Sequence, residues 1–169
     1  MDVDEAIRTR RTFKDFGPEP VPREVLFALF DLARFAPNHH LTQPWRFRVL
    51  GPETLGRLKE LAGPAEAAKL VRAPTLVLVS AALTGDPVQD DEDLHATAAA
   101  VYAILLAAHG RGLAGYWRTP AVLRTPAGRA AVGLPNGERV VALVNLGPPG
   151  SPRPAKERQP AGEFVTFLP

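Results

Sequence analysis

The sequence predicts an α+β fold in which a sheet packs around one central helix. Three observations carry this. Helical and extended segments alternate in the order helix, helix, strand, helix, strand, helix, strand, helix, strand, tail. Two runs, Thr75 to Ala82 and Arg139 to Leu146, are almost continuously apolar, as central strands are. Between them, Leu94 to His109 is apolar nearly all round, a pattern that belongs to a buried core helix. The 169 residues suit one domain, 1–169.

The elements follow in order. Asp2 and Glu5 have capping-box spacing, and Val3, Ala6 and Ile7 then share one face of a helix that runs to about Arg10. Gly17 and Pro18 break the chain into a loop over 14–20. Pro22 suits the first turn of a second helix. Its apolar stripe is Val25, Leu26, Leu29, Phe30 and Ala33, and it stops near Pro37. Trp45, Phe47 and Val49 alternate with Arg46 and Arg48, as in a half-buried strand, and Trp45 reads as core. Pro52 to Ala62 reads as helix. Asp90 to Asp93 stand ahead of the long helix, where acids complement its dipole. Leu113 to Trp117 reads as a strand, and Pro120 to Ala131 as a helix ended by Gly133.

The composition changes after Gly147. Pro148, Pro149, Pro152, Pro154 and Pro160 exclude regular helix from the arm 148–169. The closing segment, Phe164 to Leu168, is apolar and β-like. Such a segment either pairs with its own sheet or crosses to a second subunit.

Several function classes drop out. Cysteine is absent, which removes disulfides, thiolate nucleophiles and thiolate metal sites and fits a cytoplasmic protein. The first ten residues carry acids and no apolar core, so they are no signal peptide, and no apolar stretch is long enough to span a bilayer. The net charge is +2, with basic residues interleaved among acids, so a nucleic-acid stripe is not expected. Gly110, Gly112 and Gly115 spell a dinucleotide fingerprint, but a helix precedes it and a strand follows, the reverse of what a phosphate turn needs. These glycines read as a helix stop and turn. His39, His40, His95 and His109 lack metal-ligand spacing, and the adjacent His39 and His40 should point apart. Neither Ser80 nor Ser151 lies in a nucleophile elbow.

Three segments remain. Arg10, Arg11 and Thr12 end the first helix with two guanidiniums and a hydroxyl, a set that suits one phosphate. Ala36 to Trp45 is a polar loop closed by prolines. Gly115 to Thr119 ends a strand with aromatic, cation and hydroxyl, suited to a flat, partly polar ligand.

In these segments the chain resembles the FMN-dependent nitroreductase family, and most closely its small branch. The R-R-[ST] motif matches Arg10 to Thr12, and the A-P-x-x-x-x-x-Q-P-W loop matches Ala36 to Trp45. W-R-[ST] matches Trp117 to Thr119, and the ending F-V-T matches Phe164 to Thr166. The motifs run in order over nearly the whole chain. The chain departs from a close relative at Phe35, where that relative has an FMN-contacting arginine.

The resemblance implies a nitroreductase-like α+β fold: a mostly antiparallel sheet flanked by helices, with the C-terminal arm exchanged in a homodimer. It implies two FMN sites at the interface. Arg10, Arg11 and Thr12 would come from one subunit, and His39, with Pro37 and Gln43 near the ring, from the other. Trp117, Arg118 and Thr119 would also contact FMN across the interface. The implied activity passes hydride from NAD(P)H through flavin N5 to a small acceptor such as a nitroaromatic or quinone. Alternatives on the same fold are another flavin reaction, such as dehydrogenation or dehalogenation, and a non-catalytic FMN-binding protein.

Overall fold

The computed structural model describes residues 1–151, 154 and 156–169. Pro152, one of the prolines expected to break the arm, lies outside the described residues. α1 spans Val3–Thr9, and Asp2 accepts the Glu5 backbone N–H at 2.8 Å. α2 spans Arg23–Ala33, β1 Trp45–Val49, α3 Pro52–Leu61, α4 Pro64–Leu70 and β2 Thr75–Ala82. α5 spans Pro87–Gly110, β3 Ala114–Arg118, α6 Pro126–Ala131 and β4 Glu138–Gly147.

The strands form one antiparallel sheet in the order β1-β2-β4-β3, so the two most apolar strands lie inside. Side chains alternate between its faces. Trp45, Val77, Val79, Ala142, Val144 and Leu146 face α2 and α5 in one core cluster. Leu76, Leu78 and Leu143 face the other way, against Leu58, Leu70, Val122 and Leu123. On this second face Arg48 of β1 donates to both oxygens of Glu138, at 2.7 and 2.9 Å, and Ser80 donates to the same carboxylate at 2.6 Å.

Five expectations need correction. α2 ends at Ala33, short of Pro37, and 34–36 close in tight turns. α5 starts at Pro87, so Asp90 to Asp93 lie inside it. Its real N-cap is Asp86, which accepts the N–H groups of Val88 and Gln89. The expected helix Pro120 to Ala131 is two pieces, a 3-10 turn Ala121–Arg124 and then α6. Pro126 cannot donate in a continuous helix, and Thr125 caps the new one by accepting the Gly128 N–H. α4, opened by Pro64, was not anticipated.

The fifth concerns the arm. Phe164 to Leu168 forms no strand and pairs with no strand of its own chain. Phe167 and Leu168 are 93% and 85% exposed. Gly112, expected as a helix stop, takes φ +74° directly after α5.

Candidate cofactor site

The two ends of α5 organise the site residues into two groups. At its C-terminal end, His109 lies 2.8 Å from the Thr9 hydroxyl, which ties α1 to the core helix. Arg10 follows as the C-cap of α1. The chain then runs beside β3: Thr12 bridges Gly115, and the Phe13 N–H donates to the Gly115 carbonyl at 3.2 Å.

Here Arg10, Arg11, Thr12, Lys14, Pro154, Lys156 and Arg158 line an open cavity of about 420 Å³. Five of these side chains are cationic, and no acid is among the described lining residues. Arg10 Nε is buried and has no hydrogen-bond partner among the described residues. A buried donor is rarely left unpaired, so this atom marks a place for an acceptor. Arg11 is partly committed, donating to the Arg8 and Arg10 carbonyls, and so caps the end of α1. Burial first, and then the charges of Arg10 and Arg11, hold His109 below its ordinary pKa of 6.5.

Lys14 is shared with a second cavity of about 480 Å³, whose lining adds Lys69, Arg72, Tyr116, Trp117, Arg118, Thr119 and one acid, Glu66. The Arg118 guanidinium donates to the Lys69 carbonyl at 2.8 Å, and burial lowers its pKa from the ordinary value. The Trp117 indole N–H donates to the Val141 carbonyl at 3.2 Å. The first and third motifs are therefore neighbours in one chain, which corrects the expectation that Trp117, Arg118 and Thr119 reach the Arg10 site across the interface.

The second motif is not. His39 Nδ1 lies 2.8 Å from Glu92, near the N-terminal end of α5, and Thr42 donates to Asp93. Glu92 and His109 are about 25 Å apart at 1.5 Å per helical residue. Pro37, His39 and Gln43 are all exposed at that far end. Asn38 pins their loop, accepting the Gln43 N–H at 2.9 Å and donating to the Ala36 carbonyl at 3.1 Å. His40, Leu41 and Gln43 have φ of 54°, 51° and 46°, left-handed positions that cost of order 1 kcal/mol or more each. His40 in this conformation turns its ring onto His39, with centroids 3.8 Å apart, so the two do not point apart. Phe35 is exposed, and Arg34 stacks on it at 4.9 Å while pairing with Asp31 at 2.8 Å.

Sequence reasoning missed Lys14, Lys69, Arg72, Lys156 and Arg158. Lys14 stands two residues beyond Thr12 and was within reach of it. The others come from α4, the turn before β2 and the arm, which no local pattern connects to α1.

An antiparallel sheet covered on both faces thus carries a cation-lined cavity where α1 meets β3. The Nitroreductase family model matches residues 7–68, which hold the triplet, α2 and the 36–45 loop. Over nearly its whole length the chain is similar to proteins named as nitroreductases. It is 28% identical to "Putative NAD(P)H nitroreductase YfhC" of Bacillus subtilis, covering 96% of this chain and 92% of that protein. It is 29% identical to "Putative NAD(P)H nitroreductase YdjA" of Escherichia coli, over 88% of this chain and 89% of that protein. A nitroreductase-like protein of Desulfovibrio desulfuricans, solved in complex with FMN, superposes with a TM-score of 0.84 at 25% identity. That match covers 99% of this chain and 96% of the other.

Proposed function

We propose that the protein is a homodimeric, FMN-dependent NAD(P)H oxidoreductase, residues 1–169 of each chain forming one domain. The observation that carries this is a cavity lined by five cations and no described acid, beside which Arg10 Nε is buried without a partner among the described residues. A phosphate monoester fits that donor set in charge and in hydrogen bonding. The adjoining cavity, with Tyr116, Trp117, Arg118, Lys69 and Lys14, suits a flat ring system with a polar edge.

Bound FMN supplies the redox chemistry, relaying hydride from NAD(P)H through N5 to an acceptor such as a nitroaromatic or quinone. The protein's residues bind and orient. Arg10 presents Nε, Arg11 its uncommitted donors and Thr12 its hydroxyl to the phosphate, with Lys14, Lys156 and Arg158 adding charge. Trp117, Arg118 and Thr119 line the ring end. Lys14 and Arg118 place positive charge there, where a low local dielectric strengthens their field.

The 25 Å of α5 between the groups supports a dimer. Pro37, His39 and Gln43 reach a site built on Arg10 only from a second copy. The arm supports it too. Its exposed Phe164, Val165, Phe167 and Leu168 need an apolar seat. β1 is a sheet edge, and the groove between it and α2, lined by Leu26, Phe27, Phe30, Trp45, Phe47 and Val49, has a volume of about 710 Å³. We assign the partner's arm to that groove.

The test has three readings on purified protein. The visible spectrum should be that of a flavin, and the released flavin should be FMN. Light scattering should give about twice 18.2 kDa. Anaerobic mixing with NADH or NADPH should bleach the flavin. A colourless protein that takes up no added FMN, or a flavin inert to both donors, would sink the proposal.

A further inference from the structure

A third cavity lies beyond the two assigned to FMN. It has a volume of about 500 Å³ and shares Thr119 and Pro120 with the Arg118 cavity. Three arginines face it: Arg124 from the 3-10 turn, Arg129 from α6 and Arg139 from β4. Leu123 and Val140 form its apolar wall.

No described lining residue is acidic, and Glu138 and Glu66, which neighbour the lining, have their carboxylates taken up by other donors. Glu138 accepts from Arg48 and Ser80 on the second face of the sheet. Glu66 accepts the Ala121 and Val122 N–H groups. Arg129 is held by the backbone, one guanidinium nitrogen donating to the Pro135 and Glu138 carbonyls at 3.1 Å each. Its other nitrogens hold no hydrogen bond among the described residues. Arg124 and Arg139 form no ion pair among the described residues. Three guanidiniums gathered without a counter-charge repel one another, and an anion relieves that repulsion. The FMN phosphate does not supply it, because Arg10 and its neighbours form a separate cationic cavity.

We propose that Arg124, Arg129 and Arg139 bind a phosphate group of the dinucleotide donor, which reaches the cofactor cavity across Thr119 and Pro120. This rests on the reading above, in which that cavity holds FMN. The shared chemistry is a phosphate oxyanion on a planar guanidinium fork. It has two sources: the pyrophosphate present in both donors, and the 2′-phosphate carried by NADPH alone.

Arg124→Gln and Arg139→Gln change exposed side chains and keep the Arg129 backbone contacts. Dissociation constants for NADH and NADPH come from the anaerobic reductive half-reaction, with flavin content measured alongside. We expect each substitution to weaken donor binding about tenfold, the scale of one charge-assisted hydrogen bond, with flavin content unchanged. Weakening confined to NADPH identifies the 2′-phosphate, and equal weakening for both donors identifies the pyrophosphate. Unchanged constants for both overturn the proposal.

Calorimetric titration with 2′,5′-ADP and with ADP reads the cavity without any turnover. Binding that both variants lose supports the assignment even if the flavin proves inert to NAD(P)H. Failure of both nucleotides to bind overturns it, whatever the flavin does.

Discussion

Replacing Arg10 by Met should move folding and cofactor binding in opposite directions. In the ligand-free chain Arg10 Nε is a buried donor without a partner, a condition that costs about 1–3 kcal/mol. The guanidinium also shares its cavity with Arg11, Lys14, Lys156 and Arg158. Methionine keeps an aliphatic stem and removes both penalties. The ligand-free variant should therefore melt roughly 2–12 °C higher than wild type, from about 1–3 kcal/mol at about 2–4 °C per kcal/mol for a chain of this size. In the bound state, by contrast, a hydrogen bond from a charged donor to phosphate is lost. That contact is worth about 1.5–3 kcal/mol, so the FMN dissociation constant should rise about 10- to 150-fold. Quenching of flavin fluorescence on titration into apoprotein measures the constant, and thermal melts with and without FMN measure stability. His109 is an internal reporter. Its pKa lies below the ordinary 6.5 through burial and then through Arg10 and Arg11. The unfolded chain thus binds a proton that the folded chain resists, so stability falls as pH drops below about 6.5. Removing Arg10 should raise the His109 pKa, followed by ring-proton NMR, and make that loss shallower. A dissociation constant within twofold of wild type refutes the phosphate role. A fall of several degrees in the ligand-free melt shows that Arg10 is structural.

Other perturbations test the fold that carries the site. Arg48→Met leaves the nearly buried Glu138 without its bidentate partner, and should cost about 2–4 kcal/mol in urea unfolding. Adding Glu138→Leu should recover most of that loss. Because Arg48 holds the Glu138 pKa down, the pair's stabilisation is present above the ordinary carboxyl range and is lost as pH falls through the lowered folded value. In the Arg48→Met variant that acid-sensitive component should shrink, since only Ser80 and Arg46 then hold the Glu138 pKa down. Asn145 is fully buried on β4, and both ends of its amide lack partners. Asn145→Leu should therefore stabilise by about 1–2 kcal/mol, and a lower melting temperature would show a hidden partner such as a bound water. At Gly128 an added Cβ would meet the Val122 carbonyl oxygen at 1.9 Å. Gly128→Ala should cost about 3 kcal/mol, read as a lower urea midpoint at constant slope.

Patterns that are local in the chain were legible in the sequence. β1 and β2 fall where alternation and the apolar run place them, because strand burial writes itself on consecutive residues. Errors came at helix starts that begin with proline. Asp86-Pro87, Gly63-Pro64 and Thr125-Pro126 are each a cap followed by Pro at the first helical position. Those signals were present but outweighed by the apolar stretches that follow. Of the two readings of the arm, pairing with its own sheet is not seen among the described residues, and β propensity in Phe164 to Leu168 remains a demand for a partner. Arg10 to Thr12 and Trp117 to Thr119 were paired through family motifs, and the structure sets them beside each other through the Thr12–Gly115 bridge. Lys69, Arg72, Lys156 and Arg158 join them only through the fold. The separation of His39 from Arg10 depends on the length of α5, which was read as starting at Leu94.

That helix has a genetic consequence. On the proposed two-chain site, damage at one end of α5 and damage at the other fall on different sites when two defective chains pair. A hybrid of an Arg10-defective chain with a His39-defective chain carries both lesions in one site and neither in the other. Two inactive alleles expressed together would then restore up to half of the sites in each mixed dimer, whereas two alleles damaged at the same end would restore none.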